Sequence, residues 1–362
     1  MQATMRITPA MFRAPLRLMK LDGLRVELFR YDSGVEGIRV TNDIGKVEIL
    51  PFQGQQIWDA QFYGRTLTMR STFSEPVRTK EYLANYGAYF IHCGGSAMGN
   101  PAPGDSHALH GELPNARMDR CDIAVASDGC APAVIVSGTF THRVAFGPYF
   151  RARMRTRITQ GTGVMVTSAR LTNLSSEHRP LMYLAHVNFR PAEDGAVLET
   201  LQTGAQPVSR ADAEIVRNNA ATTLRAGESE VGISQLLQKG VSVTPELVQT
   251  VPIAVNEDGW RVTVQQHRDH QRDIVASRST HLNHTIRWLR RTADDDAFGL
   301  ALPSSAEVDG FIAERAKGHV ALFGRGRSLS GTVVHGALGT DEDWRRIVPM
   351  TALTSEQARR ED

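Results

Sequence analysis

Apolar and polar residues alternate with a period of two along most of the chain, in short runs broken by Gly, Pro, Asn and Ser. A period of two sends successive side chains to opposite faces, so each run predicts a strand with one face in a core and the other in water. The clearest runs are GLRVELFRYDSG (23–34), GIRVTND (37–43), KVEILPF (46–52), GRTLTMRSTF (64–73) and PAVIVSGTFTHRVAF (132–146). Residues 149–191 alternate most regularly and predict three strands in a meander, with turns at Gly161-Thr162-Gly163 and Ser175-Ser176-Glu177. Alternation returns at 259–267, 280–291, 319–324 and 328–338.

Between these blocks, residues 192–245 are richer in Ala, Gly, Ser and Thr and read as a long decorated connection. Helix is predicted only in the polar tail, where TDEDWRRI and TSEQARRED carry acidic residues after a threonine. The whole predicts an all-β fold, a large antiparallel sandwich over 1–340 with a polar, partly helical tail at 341–362. No Pro/Ser-rich linker divides the alternation, so a single β domain is expected.

Composition narrows the partners. The 362 residues are 41% hydrophobic, enough for a sizeable core. The 41 basic and 39 acidic side chains are spread along the chain, so no basic arm or face suggests nucleic acid. Cys93, Cys121 and Cys130 have neither an even count nor zinc-ribbon spacing, so reduced thiols are expected, with Cys93 acting as a small apolar residue. The first residues lack the unbroken apolar run of a signal peptide, and no later stretch has the length of a membrane span, so the chain reads as cytoplasmic. It contains neither a Walker loop nor a dinucleotide fingerprint.

Two places carry candidate chemistry. In GDSHALHGELPN (104–115), Asp105, His107, His110 and Glu112 offer the ligand types of a divalent metal. However, His107 and His110 lie three apart across an expected turn, a spacing that no regular element converges on one ion. The acid/base alternative needs only one histidine at the substrate, with Gly111 and Pro114 fixing the backbone beside His110. In LMYLAHVNFRP, His186 and Asn188 interrupt an apolar strand and share a face with Leu184 and Arg190. Such a polar pair is either a core histidine bonded to backbone or an imidazole at the floor of a pocket, with Asn188 orienting it. His267 and His270 sit among charges and amides and read as a solvated turn.

Together, HALHGELPNA (107–116) and LMYLAHVNF (181–189) resemble the aldose 1-epimerase (galactose mutarotase-like) superfamily. The likeness is closest to its less characterised bacterial branch, and LNHTIRW (282–288) and LPSSAEVDG (302–310) extend it over most of 40–340. The resemblance implies a β-supersandwich with a carbohydrate site on its concave face. It also implies cofactor-free opening and reclosing of an aldose at its anomeric carbon, by a carboxylate base and a histidine acid. Carried over by position, His186 is the general acid and His110 the contact near the ring oxygen. Gln53, His107, Asn115, Arg117 and Asn188 are then expected at the sugar hydroxyls, with Trp288 as an apolar platform.

The chain departs from the family where the base belongs. The carboxylate expected before the proline of the late motif falls at Leu302, and Gln53 stands where relatives have an arginine. Glu307 and Glu112 are therefore the candidate bases. The expected partner is a small free carbohydrate, with no metal and no cofactor, and a homodimer is compatible with the sequence. The alternatives are a metal-dependent isomerase or lyase built on Asp105, His107, His110 and Glu112, and a sugar-binding module without catalysis.

Overall fold

The alternation at 23–52 becomes three antiparallel strands, Leu24–Arg30, Glu36–Asn42 and Gly45–Ile49, in a computed structural model that describes residues 4–21, 23–127, 131–229 and 232–339, with Asp343 and Arg345. Val26, Leu28, Ile38, Val40, Val47 and Ile49 lie on the inward face of these strands and are fully buried. Burying each such side chain contributes about 1.5–3 kcal/mol. The predicted helical tail, apart from Asp343 and Arg345, lies outside the described residues, as does Cys130.

The strands form two large antiparallel sheets, one of 9 and one of 14 strands. One continuous apolar cluster, running from Ile7 to Ala337 in sequence, packs between them. The expected all-β supersandwich is thus the observed fold.

Three elements differ from the pattern-based expectation. The meander breaks after its second strand: Tyr149–Thr159 and Val164–Asn173 pair in the nine-stranded sheet, whereas Met182–Val187 joins the other sheet between Phe90–Gly95 and Asp296–Ser304. The connection at 192–245 is itself structured. It adds Ala196–Glu199 to the nine-stranded sheet, Ala213–Arg217 and Ala220–Leu224 to the larger one, and a short helix at Ile233–Leu236. Residues 64–73 hold only the two-residue strand Arg65–Thr66 and then run as a loop over the larger sheet.

Phe90–Gly95 and Asp296–Ser304 carry no period-two signal because they are covered on both faces, by the core beneath and by loops above. Buried strands read as continuous apolar runs. Among the described residues, no helix is long and apolar enough to cross a membrane.

A buried ion cluster ties the two sheets together. Asp273, on the nine-stranded sheet, accepts from the Arg65 guanidinium of the larger sheet, from His267 at 2.8 Å and from Gln265 at 2.7 Å. Its carboxyl lies below the usual range: burial alone would raise it, but the bonds from His267 and Arg65 outweigh that. Replacing Asp273 with Ala strands the guanidinium in the interior, and the expected cost is about 3–5 kcal/mol, measurable by urea unfolding. A loss below 1 kcal/mol would contradict this account of the sheet junction.

Candidate functional site

Strands Ser242–Thr250, His284–Arg291, Asp296–Ser304 and Met182–Val187 are consecutive neighbours in the larger sheet. Alternation sends Glu246 and Val248, Ile286, Trp288 and Arg290, and Leu184 and His186 to the same outer face. Above them, residues 72–86 and 100–110 arch over, enclosing a cavity of about 460 Å³. That volume lies within the range of small-molecule sites.

His186 stands on the floor of this cavity. Its Nδ1 lies 2.6 Å from Asn188 Oδ1, and the Asn188 amide is itself fixed by donating 3.0 Å to the Ala88 carbonyl. With the Asn188 oxygen turned towards the ring, Nδ1 must carry the proton, and Nε2 presents a lone pair to the cavity. Burial lowers the pKa to about 4 despite the hydrogen bond that Nδ1 donates to Asn188, so the imidazole is neutral at neutral pH.

His110 faces it from the covering loop, with ring centroids 5.6 Å apart and planes at 88°. The loop backbone makes this placement possible. His110 takes the left-handed conformation at φ 58°, its carbonyl accepts 2.7 Å from the Gly94 amide, and its own amide donates to Gly99. Gly111 follows at φ 76°, where a Cβ would stand 2.3 Å from the Ala97 carbonyl, so only glycine fits. The ring packs on Tyr82 at 4.9 Å and keeps part of its surface open to the cavity. Burial, with His186 and His107 adding to it, lowers its pKa to about 3. Nδ1 is buried without a partner. An unmet acceptor is tolerated better than an unmet donor, so the proton belongs on Nε2.

Tyr86, Trp288 and His186 form a cluster of edge-to-face rings 5.5–6.0 Å apart. The charged residues around the cavity are Glu246, Asp295 and Arg290. Glu246 accepts 2.6 Å from the Trp288 indole N–H, and Asp295 accepts 2.8 Å from Arg290 Nε. Leu302 also lines the wall, so the position where the family pattern expects a carboxylate presents an aliphatic side chain to the site.

The other sequence-predicted residues lie elsewhere. Glu307 is held by Arg210 and by Lys317 at 2.7 Å, and Glu112 accepts from the amide and hydroxyl of Ser96. Neither carboxylate lines the cavity. Gln53 and Asn115 belong to a buried amide network with Gln56 and Asn85, bonded to the carbonyls of Val77, Glu81 and Pro114. That network holds the covering loop and does not reach the cavity. Arg117 is exposed, and its backbone bridges Gln53.

The metal quartet does not converge. Asp105 is engaged by the amides of Ala102 and Ile312, and His107 Nδ1 lies against the Ala108 carbonyl. Asp105 and His107 approach to 3.5 Å, but among the described residues only Glu307, Glu314 and His319 bring three ligand atoms within 4.8 Å of one another. The Lys317 ammonium bonds both of those carboxylates and supplies the positive charge there.

Sequence reasoning missed Glu246, Arg290, Asp295, Tyr82 and Tyr86. Glu246 lies just past the weakly periodic segment 192–245, Arg290 near the end of the alternating run 280–291, and Asp295 beyond it in TADDD. The available signal was register: Trp288 and Arg290 alternate onto one face of a strand, and Val248 pairs with Trp288.

The two-sheet supersandwich is the galactose mutarotase-like fold, as alignment with solved structures shows. The chain aligns with a candidate aldose 1-epimerase from Klebsiella pneumoniae over 97% of its own length and 95% of that chain, at 13% identity and TM-score 0.76. A galactose mutarotase-like protein from Clostridium acetobutylicum aligns over 88% of this chain and all of its own, at 14% identity and TM-score 0.58. A galactose mutarotase related enzyme from Lactobacillus acidophilus gives 84% and 98%, at 12% identity and TM-score 0.54. The chain belongs to the family described as a domain of unknown function, DUF4432, whose pattern matches residues 32–333. No curated protein matches it.

Proposed function

We propose that the protein binds an aldose in the cavity between His186 and His110 and interconverts its anomers. The observation that carries this reading is the histidine pair, two neutral imidazoles set edge to face across one enclosed space, the first offering an acceptor and the second a donor.

In this reading His186 begins as the proton acceptor, in place of the general acid implied by the family resemblance. Its Nε2 takes the proton of the anomeric hydroxyl as the C1–O5 bond breaks, while the His110 N–H stabilises the charge developing on O5. The imidazolium then returns the same proton to O5, leaving the open-chain aldehyde. Rotation about C1–C2 and the reverse sequence close the ring on the other face. One proton circulates, so no separate carboxylate base is required. This accommodates Leu302 and the engagement of Glu112 and Glu307 elsewhere. Trp288 and Tyr86 supply apolar ring surface for the pyranose.

Magnetisation-exchange NMR on a panel of aldoses tests the reading. The expected result is anomer exchange above the buffer rate for at least one sugar. Exchange at the buffer rate for every sugar that binds would leave a sugar-binding module, the reading favoured if Leu302 marks lost catalysis.

A further inference from the structure

Glu246 is a charged group without a counter-charge. Its carboxylate reaches into the cavity and takes the Trp288 indole N–H at 2.6 Å, a neutral donor that orients it but does not balance it. The cation on the same wall, Arg290, is committed elsewhere: Nε donates to Asp295 at 2.8 Å and Nη1 to the Pro245 carbonyl. Asp295 is thereby paired, whereas Glu246 has no cationic partner among the described residues. Both facing histidines are neutral. Around Glu246 lie the Trp288 indole and the Tyr86 phenol, with ring centroids 5.6 Å apart and planes at 89°.

An uncompensated carboxylate beside aromatic rings in a semi-enclosed space has the chemistry of an ammonium site. The carboxylate forms a charge-assisted hydrogen bond, and ring faces attract the remaining positive surface. The same unbalanced charge repels phosphate and carboxylate groups.

Building on the sugar-binding reading above, we propose that the cavity selects an aldose bearing a protonated primary amine, with the ammonium held by Glu246. An amino sugar supplies the missing cation and keeps a free anomeric hydroxyl for His186. Its N-acetyl and hydroxyl counterparts supply no charge. Uronic acids and sugar phosphates bring the wrong sign.

The test is calorimetric binding at about pH 6.5, where the amine is protonated. Glucosamine, galactosamine and mannosamine are compared with glucose, galactose and mannose, with the three N-acetyl derivatives, and with glucuronate and glucose 6-phosphate. At least one amino sugar is expected to bind tenfold or more tighter than its hydroxyl and N-acetyl counterparts. Glu246→Gln should erase that preference, bringing the amino sugar to within threefold of its hydroxyl counterpart.

Amino sugars binding no tighter than their neutral counterparts, or a preference that survives Glu246→Gln, would overturn the proposal. Anomer exchange on neutral aldoses without an amine preference sinks this inference and leaves the mutarotase reading standing. A preference lost in Glu246→Gln without enzyme-driven exchange does the reverse. If none of the sugars binds, both fail.

Discussion

Replacing His186 with Ala should reduce enzyme-driven anomer exchange by a factor of about 10²–10⁴, the usual contribution of a positioned acid/base group, while sugar binding changes far less. The separation follows from geometry. His186 occupies a small part of the floor, whereas the apolar contact comes from Trp288 and Tyr86. Asn188→Leu gives a second reading of the same feature. It removes the acceptor that holds the proton on Nδ1, so the imidazole can present N–H instead of a lone pair to the sugar. The expected loss is about 10- to 100-fold in exchange rate, like the loss of other groups that orient a reactive side chain. Exchange rates within threefold of wild type in both variants would remove His186 from the chemistry.

The second large effect is on stability. His92, His186 and His335 are buried and His110 is half-buried, and all four are neutral, with pKa values lowered by burial from 6.5 to about 3 for His92, His110 and His335 and about 4 for His186. In each case the unfolded chain takes up the proton first as pH falls. Stability from these groups is therefore complete above pH 6.5 and is lost on the way down to about pH 4 for His186 and about pH 3 for the other three, at roughly 1.4 kcal/mol per pH unit for each histidine. Four together approach about 5.5 kcal/mol per pH unit, against a typical total of about 5–15 kcal/mol. Cooperative acid unfolding should thus set in between about pH 6 and 4, above the range in which carboxylates alone would drive it. His335→Gln should lower the slope by about a quarter, because one of four proton uptakes is removed. Its Nε2 bonds Thr167 at 2.8 Å, a contact that an amide can replace. A folding free energy unchanged between pH 7 and 5 would contradict the burial of these rings.

Where one face of a strand meets the core and the other meets water, the fold could be read directly from the sequence. The strand over residues 328–338 coincides with Ser328–Leu338, and the hairpin turn at 161–163 joins the two long strands it was expected to join. The signal disappeared for Phe90–Gly95 and Asp296–Ser304, which are buried on both faces; the second of them brings Ala297 and Leu302 to the cavity. One wall strand of the cavity was therefore invisible, whereas the strands carrying His186 and Trp288 were legible.

The site divided in the same way. His186, Asn188 and His110 announce themselves as polar residues in apolar or tightly turned surroundings. Glu112 and Glu307 have the right chemistry, and only three-dimensional placement shows Ser96 taking the first and Arg210 with Lys317 the second. Glu246 and Arg290 reach the cavity through pairing between distant strands, and spacing along one segment carries no such information.

The account rests on the His186–His110 pair being the place where a sugar sits, and NMR of protein labelled with nitrogen-15 histidine tests that directly. At neutral pH, the free protein should show His186 as a neutral ring protonated on Nδ1 and His110 as a neutral ring protonated on Nε2. A bound aldose should shift the Nε2 resonances of both and leave His92 and His335, sealed in the core, unmoved. A charged His186 in the free protein, or a bound sugar that leaves both Nε2 resonances in place, would contradict it.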